Sequence, residues 1–285
     1  MKIAVVTDNS CSLTEEVAAQ NDIHVLKIPV IVDNQEYLDI TTSELLKLQK
    51  ETGSFPKTSQ PSFGEAVQLF EKLHADGYEA IIAISLSSGI SGFYNTLETL
   101  AHNNPEWNLR PFDSKITIRM QADLALAARK FANEGLDVDQ VIEKMHEIQK
   151  SIDVVFVVDD LMNLSKGGRL SNASAFIGTM LHIKPLLTFE DGKIIAFEKI
   201  RSMKRALKRI QELLVERFNN HPNKAQLKVF VFSTNDQAQA EQIAEFIRQQ
   251  LPDANIIVDE FNPIIAVHLG EKSLGISWMI DYEKA

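Results

Sequence analysis

The chain has 285 residues, a formal net charge of −10 and a single cysteine, and 45% of its residues are hydrophobic. This composition is typical of globular proteins, with enough chain for one large domain or two ordinary ones. The negative charge disfavours binding to nucleic acid, which needs a basic surface, and one cysteine excludes an internal disulfide.

The first residues and the length of the apolar runs indicate where in the cell the protein is found. The first residues, MKIAVVTD, turn polar after six positions, which is too early for a signal peptide. No apolar run approaches the roughly 20 residues of a membrane span. We therefore expect a cytoplasmic protein without an integral membrane segment.

The first half of the chain alternates apolar runs with amphipathic helical patterns. In chain order the predicted elements are strand 2–7, a helix after the cap at Ser12, strand 23–32, a second capping box at Thr41, a helix from Ser62 to about Ala75, strand 80–86, and a helix through Phe93, Leu97 and Leu100. This alternation predicts a mostly parallel sheet with helices on both faces.

The second half has a different pattern. It predicts strand 154–159, two strands of a hairpin around EDG at 190–192, a helix at 202–219, strand 227–232, a helix at 236–250, and strands 254–260 and 275–280. A hairpin with two helices indicates an α+β domain with a mixed or antiparallel sheet. We place the two domains at residues 1–155 and 156–285.

Three hydroxyl-rich loops follow predicted strands or precede predicted helices in the first half. They are 7–12 (TDNSCS), 58–62 (TSQPS) and 87–92 (SSGISG). Ligands of open α/β sheets bind at the carboxyl ends of strands, where hydroxyls and helix N–H groups suit a carboxylate or phosphate. Ordinary turns and caps use the same residue types, and Ser91 in particular is a candidate helix cap.

Motifs for nucleotides and metals are absent. Residues 89–92 (GISG) lack one residue of the G-x-S-x-G elbow, and neither the P-loop nor the G-x-G-x-x-G string occurs. No two histidines have H-x-x-x-H spacing, and Asp159–Asp160 is more typical of a turn cap than of a magnesium site. We expect no cofactor and no metal.

Two other functions use the same loops. One is a serine-dependent acyl ester hydrolase, with Ser87, Ser88 or Ser91 as nucleophile and His268 as base. The other is binding of a small phosphorylated or lipid-like signal. A lone histidine at the end of an apolar stretch is more often a partly buried structural residue than a catalytic one.

The ordered motifs resemble those of the DegV family along nearly the whole chain. The opening TDN at 7–9 is similar to the family's T-D-S, and TSQPS at 58–62 and SSGISG at 87–92 carry two further signatures. The stretch LSKGGRLS at 164–171 matches L-x-K-G-G-R-[IL]-S. Each motif is weak by itself, but the three longer ones together are highly specific.

This resemblance implies two domains, an N-terminal parallel sheet with helices on both faces and a C-terminal α+β domain, with the ligand between them. Family members are understood as non-catalytic fatty-acid-binding proteins. A long-chain fatty acid lies in an apolar tunnel, its carboxylate held by hydroxyls, and the carrier presents it to a fatty acid kinase where one exists. The resemblance assigns the carboxylate to Thr58, Ser59, Ser87, Ser88, Ser91 and His268, and the head-group vicinity or kinase docking to Arg169 and Arg201.

The chain departs from the family pattern at two places. Asn9 stands where the family has serine, and LGEKSLG at 269–275 replaces T-G-P-G-x-x-G after the late histidine. These differences affect the rim of the head-group site and partner docking rather than Thr58 and Ser87. Apolar side chains that line the tunnel or simply fill a core are Phe176, Ile177, Met180 and Leu181.

Overall fold

The computed structural model describes residues 1–173 and 183–284. The strands are β1 (Ile3–Asp8), β2 (Ile23–Leu26), β3 (Val30–Val32), β4 (Gln35–Tyr37), β5 (Lys57–Thr58), β6 (Ala80–Ser85), β7 (Leu109–Asp113), β8 (Asp153–Val157), β9 (Leu186–Glu190), β10 (Lys193–Glu198), β11 (Leu227–Ser233), β12 (Asn255–Glu260) and β13 (Leu274–Ile280). The helices are α1 (Glu15–Gln20), α2 (Thr42–Thr52), α3 (Phe63–Ala75), α4 (Phe93–Asn103), α5 (Ile118–Asn133), α6 (Val138–Gln149), α7 (Met162–Lys166), α8 (Met203–Asn220), α9 (Gln237–Gln250) and α10 (Pro263–Leu269).

The chain divides into two compact units. The first contains Met1–Pro29 and Thr58–Lys150, and the second contains Val30–Lys57 and Ser151–Ala285. The change of unit at residue 150 lies close to the predicted boundary at 155. The segment 30–57 differs from the prediction, since chain order placed it in domain 1–155 and the structure groups it with the second unit.

The first unit is built on a four-stranded sheet of order β2-β1-β6-β7. Every neighbouring pair in it is parallel. All six residues of β1 and of β6 are buried, as expected for strands covered on both faces. Helix α5 contacts β1, and α3, α4 and α5 contact β6. The predicted parallel sheet is confirmed, and the hydroxyl loops 7–12 and 87–92 lie at the ends of β1 and β6, whereas the loop 58–62 follows β5, which pairs with β3.

The prediction of a single strand at 23–32 is wrong. Residues Ile23–Leu26 form β2 beside β1, whereas Val30–Val32 form β3, which pairs antiparallel with β4. Pro29 separates the two because its nitrogen carries no hydrogen for a strand ladder. Asp33 and Asn34 both have positive φ, 51° and 64°, which is the conformation of a two-residue hairpin turn.

The second unit contains a six-stranded mixed sheet of order β10-β9-β8-β13-β11-β12. Only β11 and β12 are parallel neighbours, and the predicted hairpin is confirmed as β9 and β10 around Asp191 and Gly192. Helices α8 and α9 bury Ile210, Leu214, Ile243 and Ile247 in one cluster with strand residues of β8, β11 and β13. A sheet with helices packed on it in this way is the predicted α+β arrangement.

None of the helices that the structure describes has both the length and the apolar character needed to cross a bilayer.

Candidate functional site

A buried carboxylate joins the ends of β1 and β6. Asp8 Oδ2 accepts a hydrogen bond from Leu86 N at 2.8 Å, and Oδ1 accepts from Ser10 N at 3.0 Å. Burial raises the pKa of the Asp8 carboxyl, and the hydrogen bonds from Ser10 and Leu86 oppose that rise. Asp8 therefore fixes the start of the SSGISG loop relative to the first hydroxyl loop.

The Thr7 and Ser10 hydroxyls of the first loop form hydrogen bonds within the first unit. Gln121 Nε2 on α5 donates to Thr7 Oγ1 at 3.0 Å, and Thr117 Oγ1 donates to Ser10 Oγ at 3.1 Å. Thr7 and Ser10 are both almost fully buried. Burial also raises the pKa of the neighbouring Cys11 to about 12, with Asp8 adding to the rise, so the thiol stays protonated and inert. This loop shapes the edge of the sheet.

The SSGISG loop is folded around Ser87. Its Oγ accepts from Gly89 N at 3.2 Å, and its carbonyl oxygen accepts from Ile90 N and Ser91 N, both at 3.1 Å. Ser91 Oγ accepts from Phe93 N, the first residue of α4, at 3.2 Å, but the N-cap of α4 is Gly92, which differs from the prediction that Ser91 caps this helix. These contacts fold the loop back on itself over residues 87–93.

Ser88 has a different environment from the other two serines. Its N–H donates to Asp113 Oδ1 at 3.0 Å and its hydroxyl donates to Asp113 Oδ2 at 2.5 Å. A hydroxyl has one proton, and a carboxylate is a strong acceptor for it. Asp113 lies at the end of β7, so this pair anchors the loop to the neighbouring strand.

The TSQPS loop meets the SSGISG loop through one side chain. Gln60 Oε1 accepts from Thr96 Oγ1 on α4 at 2.8 Å. Gln60 Nε2 lies so close to Gly92 that a Cβ atom there would be only 2.6 Å away. In the same loop Thr58 is partly buried, and Ser59, whose N–H donates to Pro29 O at 3.3 Å, is exposed. The sequence alone does not distinguish Gln60 from the other residues of TSQPS.

The second unit holds His268 at the end of α10. A Cβ atom on Gly167 would lie 3.2 Å from His268 Nδ1, so a glycine in the KGGR motif lets the ring pack against the backbone. Burial, and to a lesser extent the charge of Arg169, lowers the pKa of His268 to about 3. At neutral pH the ring is therefore uncharged.

Asn163 and Gly270 form a second close contact beside the histidine. Gly270 has φ +76°, and a Cβ atom on it would overlap Asn163 Nδ2. Asn163 belongs to α7, which precedes the KGGR motif, and Gly270 follows α10. The structure thus brings the KGGR segment and His268 together. Their separation of about 100 residues in the sequence gave no indication of this contact.

The two predicted arginines lie in different surroundings. Arg169 is partly buried, donates to Gly167 O, and has a pKa lowered by that burial. Arg201 is exposed one residue before Ser202, the N-cap of α8. Among the residues described, no hydrogen bond or ion pair links Arg201 to Arg169 or His268.

Asp159 and Asp160, the candidate magnesium ligands, follow strand β8. Asp159 pairs with Lys184, whose Nζ lies 2.6 Å from Oδ1, and Asp160 accepts from Met162 N at 2.8 Å, as a turn cap does. Within residues 1–173 and 183–284, no group of three metal-ligating acids, histidines or cysteines is assembled. The proposed tunnel residues Phe176, Ile177, Met180 and Leu181 lie outside the described residues.

The fold and its loops define a two-unit α/β protein with a hydroxyl-lined loop cluster at the carboxyl edge of a parallel sheet. A family model described as "Uncharacterised protein, DegV family" matches residues 2–281. The chain belongs to the DegV family.

Individual relatives match over the same length. A DegV domain-containing protein of Listeria innocua is 38% identical over 98% of this chain and 99% of its own. The crystal structure of DegV, a fatty acid binding protein from Bacillus subtilis, has a TM-score of 0.89 at 35% identity, covering 98% of this chain and 99% of that one. The fatty acid binding DegV family protein SAG1342 from Streptococcus agalactiae has a TM-score of 0.91 at 33% identity, with the same coverage.

Proposed function

We propose that this protein is a non-catalytic carrier that binds a long-chain fatty acid. The observation that carries the proposal is the similarity, over 98% of the chain, to two solved structures described as fatty acid binding proteins. The hydroxyl-lined loop cluster in the first unit supplies the polar chemistry that the head group of such a ligand requires.

The carboxylate is assigned to hydroxyls of Thr58, Ser59, Ser87 and Ser91. Hydroxyls are neutral donors, so they satisfy a bound anion without adding a charge that would need desolvation. Full burial of Ser87 fits a head group held away from water. Ser88 has a positioning role in this proposal, because its proton is donated to Asp113.

The acyl chain accounts for most of the affinity. Each buried methylene contributes about 0.8 kcal/mol, so ~14 of them contribute roughly 11 kcal/mol before the entropic cost of ordering the chain. The head-group contacts then fix orientation and select an acid over a neutral lipid.

The pKa of His268 argues against the hydrolase. A general base works best with a pKa near the operating pH, and an imidazole with a pKa of about 3 removes a serine proton poorly at pH 7. Assignment of His268 and Arg169 to the head group stays a prediction, and a neutral imidazole there would act as a hydrogen-bonding group rather than as a cation.

Organic extraction of the purified protein, followed by mass spectrometry, tests the carrier function. We expect about one long-chain fatty acid per chain, and one-to-one binding of oleic acid after delipidation. A protein that purifies empty and ignores added oleic acid contradicts the proposal. Rapid ester hydrolysis lost in Ser87→Ala would favour the hydrolase instead.

A finer part of the proposal is that the carrier presents its fatty acid to a fatty acid kinase in the cytoplasm, with the exposed Arg201 in the docking surface. Replacement Arg201→Ala is expected to slow phosphorylation of bound oleic acid without changing oleic acid affinity. The matched control is Arg248→Ala on α9, also exposed. If the kinase phosphorylates oleic acid equally fast on Arg201→Ala and on the wild-type protein, Arg201 is not part of the docking surface.

A further inference from the structure

We propose that Gln60 is a head-group binding residue, whose amide N–H groups donate to the carboxylate of the ligand. This inference rests on the proposed fatty-acid-binding function and adds a donor to it. Gln60 immediately follows Ser59, and its amide lies on Gly92, the residue after Ser91. The side chain therefore lies where the two hydroxyl loops meet.

Thr96 fixes the orientation of the amide. Its hydroxyl on α4 donates to Gln60 Oε1 at 2.8 Å. With the carbonyl oxygen engaged by Thr96, the nitrogen is the amide atom that lies nearest Gly92. An amide held in this way offers donors, and not an acceptor, to a ligand at the loops.

Gly92 leaves the space that the amide occupies. A Cβ atom at residue 92 would lie 2.6 Å from Gln60 Nε2 and 3.6 Å from its Cδ, so any larger residue would displace the side chain. Gln60 Nε2 donates no hydrogen bond to the part of the chain that the structure describes. Gln60 is exposed, so its NH₂ group is accessible to an anion at the loops.

The chemistry predicts selectivity between ligands. A carboxylate gains more from an N–H donor than the carbonyl of an ester does, because a hydrogen bond to a charged group is stronger. An oriented amide that adds no net charge would favour an acid over its methyl ester. This distinguishes Gln60 from a residue that only stabilises the fold.

The test measures binding of oleic acid and of methyl oleate to the delipidated full-length protein at pH 8. Gln60→Glu keeps an acceptor for Thr96 but replaces the donors by a negative charge. We expect it to weaken oleic acid binding at least about tenfold and to leave methyl oleate binding nearly unchanged. The matched control is Gln68→Glu, the same change at an exposed position of α3.

Thr96 provides a second, independent arm. Thr96→Val removes the hydroxyl that orients the amide and should weaken oleic acid binding about threefold, whereas Thr96→Ser keeps the hydroxyl and should bind like the wild type. If Gln60→Glu behaves like Gln68→Glu, or weakens acid and ester equally, the inference is overturned. If the wild-type protein binds neither ligand, the proposed function fails first.

Discussion

The serine-bearing loop of the first unit and His268 of the second unit are held by different means. In the first unit the hydroxyl loops are fixed by side-chain hydrogen bonds, from Leu86 to Asp8 and from Ser88 to Asp113. In the second unit His268 and Asn163 pack against glycine backbone at Gly167 and Gly270. A hydrogen bond is lost when one partner is deleted, whereas a close packing contact is disrupted when an atom is added. The two clusters should therefore respond to opposite kinds of substitution.

The largest expected effect follows from deleting Asp8. Asp8→Ala leaves Leu86 N and Ser10 N buried without an acceptor, at a cost of about 3–5 kcal/mol in the free energy of unfolding. Asp8→Asn keeps one acceptor oxygen and should lose less. Urea unfolding measures both, and an Asp8→Ala protein within about 1 kcal/mol of the wild type would show that Asp8 does not anchor the loops.

Adding one methyl group tests the second unit. Gly270→Ala combines a left-handed φ with overlap onto Asn163, and should lower the free energy of unfolding by about 2–4 kcal/mol. Gly53→Ala is the control, because Gly53 also has positive φ, +67°, but nothing lies within 4 Å of its added Cβ. Equal losses in the two variants would mean that the contact with Asn163 is unimportant.

Ser87 and Ser88 of the SSGISG loop should contribute differently to oleic acid affinity. Ser87→Ala is expected to weaken oleic acid binding about tenfold, the value of a hydrogen bond to a charged group. Ser88→Ala should change affinity less than about threefold, because its hydroxyl proton is donated to Asp113. Isothermal titration measures both, and a greater loss for Ser88→Ala than for Ser87→Ala would reverse their roles.

His268 should make the stability of the second unit depend on pH. Its pKa is about 3 in the folded protein against 6.5 for an ordinary histidine. Between these values the unfolded chain binds a proton that the folded protein does not, so stability falls as pH falls below 6.5. From pH 7.5 to 5.5 the wild type should lose about 1.4 kcal/mol more than His268→Gln. Parallel losses in both proteins would show that His268 titrates normally.

Local patterns predicted the elements whose signals lie within a few residues. The buried apolar run of β6, the capping box at Thr41 and the turn between β9 and β10 are of this kind. The run 23–32 is largely apolar and was therefore predicted as one strand. Pro29 interrupts it, and the residues before and after Pro29 join different sheets.

Contacts between distant residues were not predictable from the chain. Gln60 meets Thr96 across 36 positions, and Asn163 meets Gly270 across more than 100. Nothing in the local sequence indicates that Gly92 and Gly270 are required for close approach rather than for a turn. The motifs identified which loops matter, but the contact of Ser88 with Asp113 follows only from the packing of the neighbouring strands.

The most direct test is a crystal structure of the protein with oleic acid bound. We predict that the carboxylate lies within hydrogen-bond distance, about 2.5–3.2 Å, of the hydroxyls of Thr58 and Ser87, and that Ser88 still donates to Asp113. A head group bound away from both hydroxyls, or a structure that remains empty at saturating oleic acid, would contradict it.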